Sequence, residues 1–412
     1  MAVVKPFKAY RPASGMEPVI AALPYDVFNR KEAREEVQKH PDCFLAIDRP
    51  ETQFPEDTDI YAECVYEKAA EMLHARMADK SFVQDPTPCY YIYEQTMNGR
   101  SQTGITACAS IDDYLNNVIR KHENTREEKE QDRIRHVDTC SAQTGPIFLA
   151  YRNHPVIDEI TRRIVSENKP YCDFISAGNV RNRAFLVNAP EDVAAIEKAF
   201  SEVERIYIAD GHHRCASAVK VGLKRRAAAG TSQPDAEYNY FLSVLFPENE
   251  LMIMDYNRLL RNLNGHSAEE ILSMIREKCF TIREETEAVR PHRKGEFGLL
   301  LGDCWYRLQA DPKLYGTDPV ENLDVSVLQK NILEPIFGIQ DPRTDAAIDF
   351  AGGIRGLKEL ERRCSLDCKA AFSMYPTSIA ELFAVADAEK LMPPKSTWFE
   401  PKLLSGLFIH EI

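Results

Sequence analysis

The chain of 412 residues lacks any long apolar run. A membrane-spanning helix needs about 20 consecutive apolar residues, and no stretch here comes close to that length. The first residues, Met1 to Pro6, also lack the apolar core of a secretory signal peptide. These absences argue against a membrane partner and lead us to expect a cytoplasmic protein.

Metal-binding cysteine spacing is also absent. None of the eleven cysteines forms a Cys-x-x-Cys pair, so no tetrahedral zinc site is indicated. The count is odd and no secretion signal is present, which favours reduced thiols, mostly in the core.

The chain has no excess of basic residues. Its 51 Lys and Arg are outnumbered by 64 Asp and Glu, giving a formal net charge of −13. A general nucleic-acid binder needs a basic surface to neutralise phosphates, and that class is disfavoured. A local basic pocket remains compatible with this composition. Helix-turn-helix, P-loop, repeat and heptad signatures are missing as well.

The strongest positive feature lies in the middle of the chain. A β-prone run at 206–209 leads through Asp210 and Gly211 into an alanine-rich helical pattern. A strand that feeds a helix in this way places free backbone N–H groups and the positive end of the helix dipole at one spot, which is suited to phosphate. Asp210 can cap the helix, hold a metal or bind a hydroxyl, and Gly211 allows close approach of the backbone.

The residues that follow this turn add to the anion-binding prediction. Arg214 offers a planar fork for phosphate. His212 and His213 are adjacent in the first helical turn and point in different directions, so at most one is expected to face a ligand. A capped helix with solvated histidines is the structural alternative.

Two further stretches supply candidate acid–base groups. Asp26 follows Pro24 on a rigid turn, where it serves either as the N-cap of a helix at 30–40 or as a pocket residue. Residues 120–133 are dominated by charge, which is typical of a solvated helix face or of a loop over a pocket. Within this run, Glu123 is a candidate general base and His122 a candidate partner for a substrate anion.

Later in the chain, cations and hydroxyls form a third group of candidates. Arg258 comes after a predicted strand, where it could reach an anion or join a surface ion pair. Lys395, Ser396 and Thr397 follow two prolines in an extended loop, and they offer one charge and two hydroxyl donors to a phosphate. Alternatively, this loop is a strap whose aromatic residues pack into the core.

The alternation of strands and helices favours an α/β to α+β fold with a mixed sheet. Asn98-Gly99 predicts a hairpin between strands at 89–95 and 104–110. We also expect a strand at 45–50, a hairpin-like pair at 240–247 and 251–254, a helix at 212–229 and a capped helix at 267–278. The expected parts are a core at 1–254, a small α+β subdomain at 255–320, and C-terminal helices with a returning strap at 321–412.

The chain resembles a bacterial and archaeal family known as domain of unknown function 1015. The matching pieces run through the whole chain in one order, at 5–12, 23–27, 122–125, 145–148, 206–214, 256–258, 392–399 and 401–402. The Asp-Gly-His-His-Arg motif at 210–214 resembles the phosphate-binding turn of the ParB/sulfiredoxin superfamily, which includes free serine kinases. That resemblance implies a ParB/sulfiredoxin-like core with a phosphate-binding turn.

The resemblance implies a small-molecule phosphotransferase that makes O-phosphoserine from L-serine, with ATP, ADP or pyrophosphate as donor and Mg²⁺ as cofactor. In that interpretation Glu123, Asp210 and His212 are catalytic, and Asp210 also binds the metal. Phosphate is held by Gly211, His213, Arg214, Lys395, Ser396 and Thr397, and substrate by Asp26, His122 and Arg258. A ParB-like nucleotide-binding switch and a phosphatase using the same anion site are the alternatives, and the sequence leaves a monomer and a homodimer open.

Overall fold

The computed structural model describes residues 1–231 and 233–412. Its strands, in chain order, are β1 (Val4–Lys5), β2 (Tyr10–Pro12), β3 (Phe82–Gln84), β4 (Tyr90–Met97), β5 (Arg100–Ser110), β6 (Ile119–Arg120), β7 (Ala142–Gln143), β8 (Ile147–Tyr151), β9 (Cys172–Ser176), β10 (Val180–Val187), β11 (Ile206–Asp210), β12 (Tyr240–Pro247), β13 (Ile253–Met254), β14 (Tyr256–Leu260), β15 (Phe280–Glu285), β16 (Glu296–Leu301), β17 (Cys304–Ala310), β18 (Ile348–Gly352), β19 (Ala370–Met374), β20 (Trp398–Phe399) and β21 (His410–Glu411).

The α-helices are α1 (Glu17–Ile20), α2 (Arg30–Lys39), α3 (Leu45–Asp48), α4 (Glu63–Ala78), α5 (Ile111–Leu115), α6 (Glu127–Cys140), α7 (Pro155–Glu167), α8 (Pro190–Glu202), α9 (His212–Ala229), α10 (Ala268–Glu277), α11 (Asp324–Leu328), α12 (Leu357–Leu366) and α13 (Ile379–Asp387). A π-helix at Gln329–Leu333 continues α11 directly.

The chain forms two compact units. Unit 1 contains Met1–Leu251 together with Pro401–Ile412, and unit 2 contains Met252–Glu400. Unit 2 therefore includes both the predicted subdomain at 255–320 and most of the predicted C-terminal part. Of the predicted C-terminal part, the segment Pro401–Ile412 belongs to unit 1 instead, where Ile409 forms a β-bridge with Tyr10.

A mixed sheet forms the centre of unit 1, as the alternation of elements predicted. Its strand order is β6-β11-β8-β12-β5-β4-β10-β9, and β1 pairs with β5. The pairs β11–β6 and β12–β8 are parallel, whereas the others are antiparallel. The central strands β8 and β12 are buried throughout, which is typical of strands covered on both faces. Apolar residues of α7, α8 and α9 pack into the core on this sheet.

Unit 2 has an antiparallel sheet of its own, in the order β15-β17-β16-β19-β14-β18. Helix α10 begins with the predicted capping box, in which Ser267 and Glu270 exchange hydrogen bonds. Leu259, Leu300 and Ala371, on three of these strands, form a core with Leu360 of α12.

Several predicted elements are present at nearly their expected positions, and two expectations were wrong. The hairpin around Asn98 and Gly99 forms between β4 and β5. Residues Leu45–Asp48 form a helix instead of a strand, because a short, fully buried apolar run carries no periodicity that separates the two. Ile253–Met254 pairs with Trp398–Phe399 and not with β12, so no hairpin joins them.

No helix within 1–231 or 233–412 is both long enough and apolar enough to cross a membrane.

The contact of α9 with the rest of unit 1 gives a stability prediction. Alanine normally stabilises a helix interior by about 1 kcal/mol relative to glycine. At Gly222 the added Cβ would lie 2.4 Å from the carbonyl oxygen of Tyr238 and 2.7 Å from Cδ1 of Ile111. We therefore expect Gly222→Ala to destabilise unit 1 by about 1–3 kcal/mol, through overpacking.

Urea unfolding of both proteins measures this change. Ala227→Gly, at an exposed position of the same helix, is the matched control and should cost about 1 kcal/mol through helix propensity alone. A Gly222→Ala protein as stable as the wild type would contradict the prediction.

Candidate functional site

The site forms where β11 passes into α9. The pairing of β11 with β8 shifts by one residue between Ile208 and Asp210, which is a β-bulge. Bulges re-aim side chains at the ends of strands. Gly211 follows with φ 89°, a left-handed conformation that favours glycine, and α9 begins at His212.

The N-terminus of α9 has no side-chain cap. Instead, the guanidinium of Arg214 folds back over Gly211, where an added Cβ would lie 3.2 Å from Arg214 Nε. The backbone conformation of Gly211 favours glycine, and a side chain there would also push the Arg214 guanidinium away by a few tenths of an ångström. The first N–H groups of the helix and the positive end of its dipole lie at the same place as the guanidinium.

Asp210 is held between the backbone and a lysine. Its Oδ1 accepts the Gly211 N–H at 2.8 Å, and its Oδ2 binds Nζ of Lys402 at 2.8 Å. Burial acts to raise the pKa of Asp210, but the charges of Lys402 and Arg214 outweigh it and hold that pKa well below its usual range. Asp210 is therefore an ionised, hydrogen-bonded carboxylate.

Lys402 is the site residue that the sequence analysis did not select. It lies in the C-terminal segment of unit 1, where its backbone oxygen accepts Nε2 of Gln95 at 3.0 Å. The residue pattern of the C-terminal part favours Lys395 as the cation of the site. The signal that could have found Lys402 was its place in the last of the matching pieces, at 401–402.

One nitrogen of the Arg214 guanidinium is hydrogen-bonded within the protein, and another can still donate a hydrogen bond. Its Nη1 donates to the carbonyl oxygen of Pro146 at 2.7 Å. Its Nε is buried and has no hydrogen-bond partner in the described part of the chain. Burial acts to lower the pKa of Arg214, but the carboxylates of Asp26 and Asp210 outweigh it and raise that pKa.

His122 joins the site through the pairing of parallel strands. Ile119 and Arg120 of β6 pair with β11, so the residues after both strands meet at the same edge of the sheet. The rings of His122 and His212 contact each other edge to face, with centroids 4.5 Å apart. Both rings are buried, and Nδ1 of His122 and Nε2 of His212 have no hydrogen-bond partner within 1–231 and 233–412.

Both rings are neutral at neutral pH. Burial lowers the pKa of His122 to about 4, against a smaller opposing effect of Asp210. Burial and the neighbouring His122 also lower the pKa of His212 well below its usual value. Glu123 Oε2 lies 3.9 Å from His212 Nδ1, and its side chain is half-exposed at 54%.

His213 faces a different direction from His212, as expected from their positions in the helix. Its Nε2 accepts the backbone N–H of Arg126 at 2.9 Å. Burial and the charge of Lys129 lower the pKa of His213. This hydrogen bond fixes the end of the loop that precedes α6, and Glu123 lies in that loop.

A small cavity of about 30 Å³ lies beside Arg214. Its wall includes Asp48, whose Oδ1 accepts the hydroxyl of Thr144 at 2.8 Å, and Arg133, which stacks 4.1 Å from the ring of Tyr25. Asp26 follows Tyr25 in a 3₁₀ turn. The N-cap of α2 is Asn29, in a capping box with Glu32, so Asp26 is not the cap that one alternative proposed.

The other predicted residues belong to unit 2. Arg258 is buried on β14, and Lys395 is exposed, with Nζ 5.4 Å from the ring centroid of Tyr256. The hydroxyl of Ser396 donates to the carbonyl oxygen of Pro393 at 2.6 Å, and Thr397 is half-buried beside it. All four residues lie in unit 2.

A protein-held metal centre does not fit the residues present. Within residues 1–231 and 233–412, no group of three His, Cys, Asp or Glu side chains could hold a metal ion. Both oxygens of Asp210 are already engaged, by Gly211 and by Lys402. The metal role of Asp210 stays a prediction.

The buried state of His122 predicts a dependence of stability on pH. Its ring takes up a proton near pH 4 in the folded protein, whereas an unfolded histidine does so at about pH 6.5. Between these values the unfolded chain binds more protons, so stability falls as the pH falls, by up to about 1.4 kcal/mol per pH unit for one group.

We expect His122→Gln to flatten the loss of stability between pH 6.5 and 4, measured by urea unfolding in steps of pH. His74→Gln, which replaces an exposed histidine of α4, controls for the substitution itself. An unchanged slope in His122→Gln would show that the ring is not held neutral.

Solved structures give only distant similarities. The chain is similar to a free serine kinase in complex with AMP, at 14% identity and a TM-score of 0.34, over 72% of this chain and 86% of that one. It is also similar to SbnI with a C-terminal truncation from Staphylococcus aureus, at 13% and 0.36, over 73% and 85%. A conserved hypothetical protein from Pyrococcus furiosus gives 13% and 0.33, over 73% and 94%. Scores of this size transfer neither fold nor function.

No protein of curated function matches the chain at a significant level. The match of a family model is extensive. The model described as "Protein of unknown function (DUF1015)" covers residues 4–326, in agreement with the resemblance seen in the sequence, and the chain belongs to this family.

Proposed function

We propose that the protein is a phosphotransferase that acts on a small molecule, with the turn at the start of α9 as its phosphate site. The observation that carries the proposal is the uncapped helix N-terminus with two cations beside it. Arg214 folds over Gly211, and Lys402 lies on the other side of Asp210, 2.8 Å from its carboxylate. Phosphoryl transfer requires this combination of N–H donors and cations.

The site favours an anion over a cation. Arg214 and Lys402 lie at the start of α9, where the positive end of the helix dipole also attracts an anion, and the two neutral histidines add no charge of either sign. Arg214 keeps a buried Nε without a partner, and an unpartnered buried donor is costly unless a ligand accepts from it. A phosphate oxygen would satisfy that donor.

Each residue then has a distinct role in the transfer. Arg214 and the first N–H groups of α9 hold the phosphoryl group, and Lys402 neutralises charge that develops on it. Asp210 is a positioning residue, because it holds Lys402 and the Gly211 N–H. Glu123 accepts the proton of the attacking hydroxyl, while its neighbour His212 orients it. One P–O bond forms to the acceptor and one P–O bond to the leaving phosphate breaks.

We propose L-serine as the acceptor and O-phosphoserine as the product. This part rests on the resemblance of the motif at 210–214 to the turn of free serine kinases, and ATP, ADP and pyrophosphate are the candidate donors. Mg²⁺ enters the proposal only as the companion of the donor phosphates, which is its usual mode of binding at such sites. The chain's own residues account for the steps above.

Phosphate transfer can be measured directly. Incubation with L-serine, Mg²⁺ and each donor in turn should yield O-phosphoserine, detected by mass spectrometry, and chelation of the metal should abolish product formation.

Arg214→Lys removes the planar fork but keeps the charge, so we expect a loss of about 10²–10³-fold in kcat. Asp210→Asn should cost a similar factor by releasing Lys402.

Lys224→Met is the matched control, since Lys224 is an exposed cation at the far end of the same helix. A folded wild-type protein that binds nucleotide but yields no product with any donor would contradict the proposal and favour the switch. Release of phosphate from O-phosphoserine without a donor would favour the phosphatase.

The role of Glu123 has its own signature. Glu123→Gln keeps the size and hydrogen bonding of the side chain but removes the base. We expect kcat to fall by about 10²–10⁴-fold with the KM for the phosphate donor little changed. Steady-state kinetics with varied donor measures both quantities. A rise in KM with an unchanged kcat would assign Glu123 to binding instead.

A further inference from the structure

Unit 2 buries an arginine that pairs with no carboxylate among the described residues. Arg258 lies on β14, opposite Phe350 of β18 and Phe372 of β19, and its exposed fraction is 4%. Its Nη1 donates to the backbone oxygen of Tyr256, and its guanidinium lies 5.6 Å from the ring centroid of Phe350. In the described part of the chain no Asp or Glu forms an ion pair with it.

Burying an unpaired arginine has a large free-energy cost, which makes this arrangement unusual. Arginine is almost never fully buried unless it is paired, because removing its charge from water is expensive. Burial lowers the pKa of Arg258 to about 10, opposed only by a small effect of Tyr256. A charge that the protein itself leaves uncompensated is suited to a ligand of opposite sign.

A cavity opens directly onto Arg258. Its volume is about 350 Å³, within the range of small-molecule sites. Apart from the guanidinium, much of its wall is apolar, with Val325, Leu333, Phe350 and Pro393 among the lining residues. The cavity therefore combines one buried cation with an apolar chamber.

The π-helix at Gln329–Leu333 supports the same assignment independently. Single π turns are rare, and they are frequent at functional sites. Both Gln329 and Leu333 line the cavity. The Nε2 of Gln329 donates to the backbone oxygen of Ile339 at 2.7 Å, which fixes this wall.

The remaining charges at the cavity balance each other. Asp341 and Arg343 both line it, and they form an ion pair at 2.7 Å. Arg258 is then the one uncompensated charge among the lining residues. A single positive charge matches a monovalent anion better than a doubly charged phosphate.

We infer that unit 2 contains a binding site for a small organic carboxylate, whose carboxylate binds Arg258 and whose apolar part fills the cavity. A planar guanidinium binds a carboxylate through paired hydrogen bonds. The inference uses residues of unit 2 alone, so it stands or falls separately from the phosphotransferase.

Tryptophan fluorescence of the full chain tests this inference. The protein has two tryptophans, Trp305 and Trp398, and both belong to unit 2. Trp398 contacts Tyr256 with centroids 5.0 Å apart, and Tyr256 contacts Phe350 at 5.8 Å. Titration with butyrate at constant ionic strength should give a saturable change in emission, whereas butyramide, its neutral analogue, should not. Phosphate should bind more weakly than butyrate.

Arg258→Met removes the charge and keeps the bulk. We expect it to weaken butyrate binding by about tenfold or more and, without ligand, to raise the melting temperature, because the uncompensated charge is gone. Arg258→Lys should bind more weakly than the wild type but more tightly than Arg258→Met. Arg355→Met is the control, because it replaces an exposed arginine of unit 2 that pairs with Glu359. It should change neither the butyrate affinity nor the direction of the melting-temperature shift that Arg258→Met produces.

Four results would overturn the inference. The first is a wild-type emission that does not saturate with butyrate, the second is an equal response to butyramide, and the third is a tighter binding of phosphate. The fourth is an Arg258→Met protein that melts at a lower temperature and still binds butyrate, because that pattern belongs to a structural arginine. If Arg258→Met fails to fold, the wild-type titrations and Arg258→Lys decide the question.

Discussion

The ion pair between Asp210 and Lys402 is the interaction on which the site of unit 1 depends. It joins residues 192 positions apart, one at the end of β11 and the other in the segment Pro401–Ile412. Withdrawing a carboxylate even partly from water is costly unless its charge is paired and its oxygens are hydrogen-bonded. Asp210 meets both conditions through Lys402 and the Gly211 N–H. The same pair gives Lys402 a fixed position beside α9.

The two units treat buried charge in different ways. In unit 1 the cations Arg214 and Lys402 are balanced by carboxylates, and the adjacent histidines are held neutral by burial. In unit 2, Arg258 is buried among aromatic rings and backbone without a carboxylate. The first arrangement pairs each cation with a carboxylate at the turn, whereas the second keeps a single charge in largely apolar surroundings. Such sites select for different ligands.

Local sequence patterns predicted much of the fold. The strand, turn and helix around Gly211 follow from residue types within a few positions, as do the hairpin at Asn98 and the capping box at Ser267. The strand expected at 45–50 failed because its pattern does not distinguish a buried strand from a buried helix turn. The predicted partner of Ile253–Met254 was wrong because the actual partner lies almost 150 residues away in the chain.

The site itself was only partly predictable for the same reason. The residues of the turn are contiguous, so the sequence placed them together. Contact between His122 and His212 depends on the parallel pairing of β6 with β11, and the role of Lys402 depends on the return of the chain terminus. Neither long-range pairing leaves a local trace. The protonation state of His122 could not be predicted from the sequence either, because it depends on burial. Burial lowers the pKa of His122 to about 4, so the ring is neutral at neutral pH.

The return of Pro401–Ile412 to unit 1 has a consequence for biosynthesis. Unit 2 is inserted between the two parts of unit 1, so a ribosome must make all of unit 2 before the last segment of unit 1 exists. At bacterial or eukaryotic rates this delay is on the order of ten seconds. During that interval Asp210 has no Lys402, and Tyr10 has no Ile409 to bridge. A nascent chain can therefore complete its internal unit first, which leaves the turn at Asp210 and Gly211 without its ion pair until all of unit 2 and Lys402 have been made.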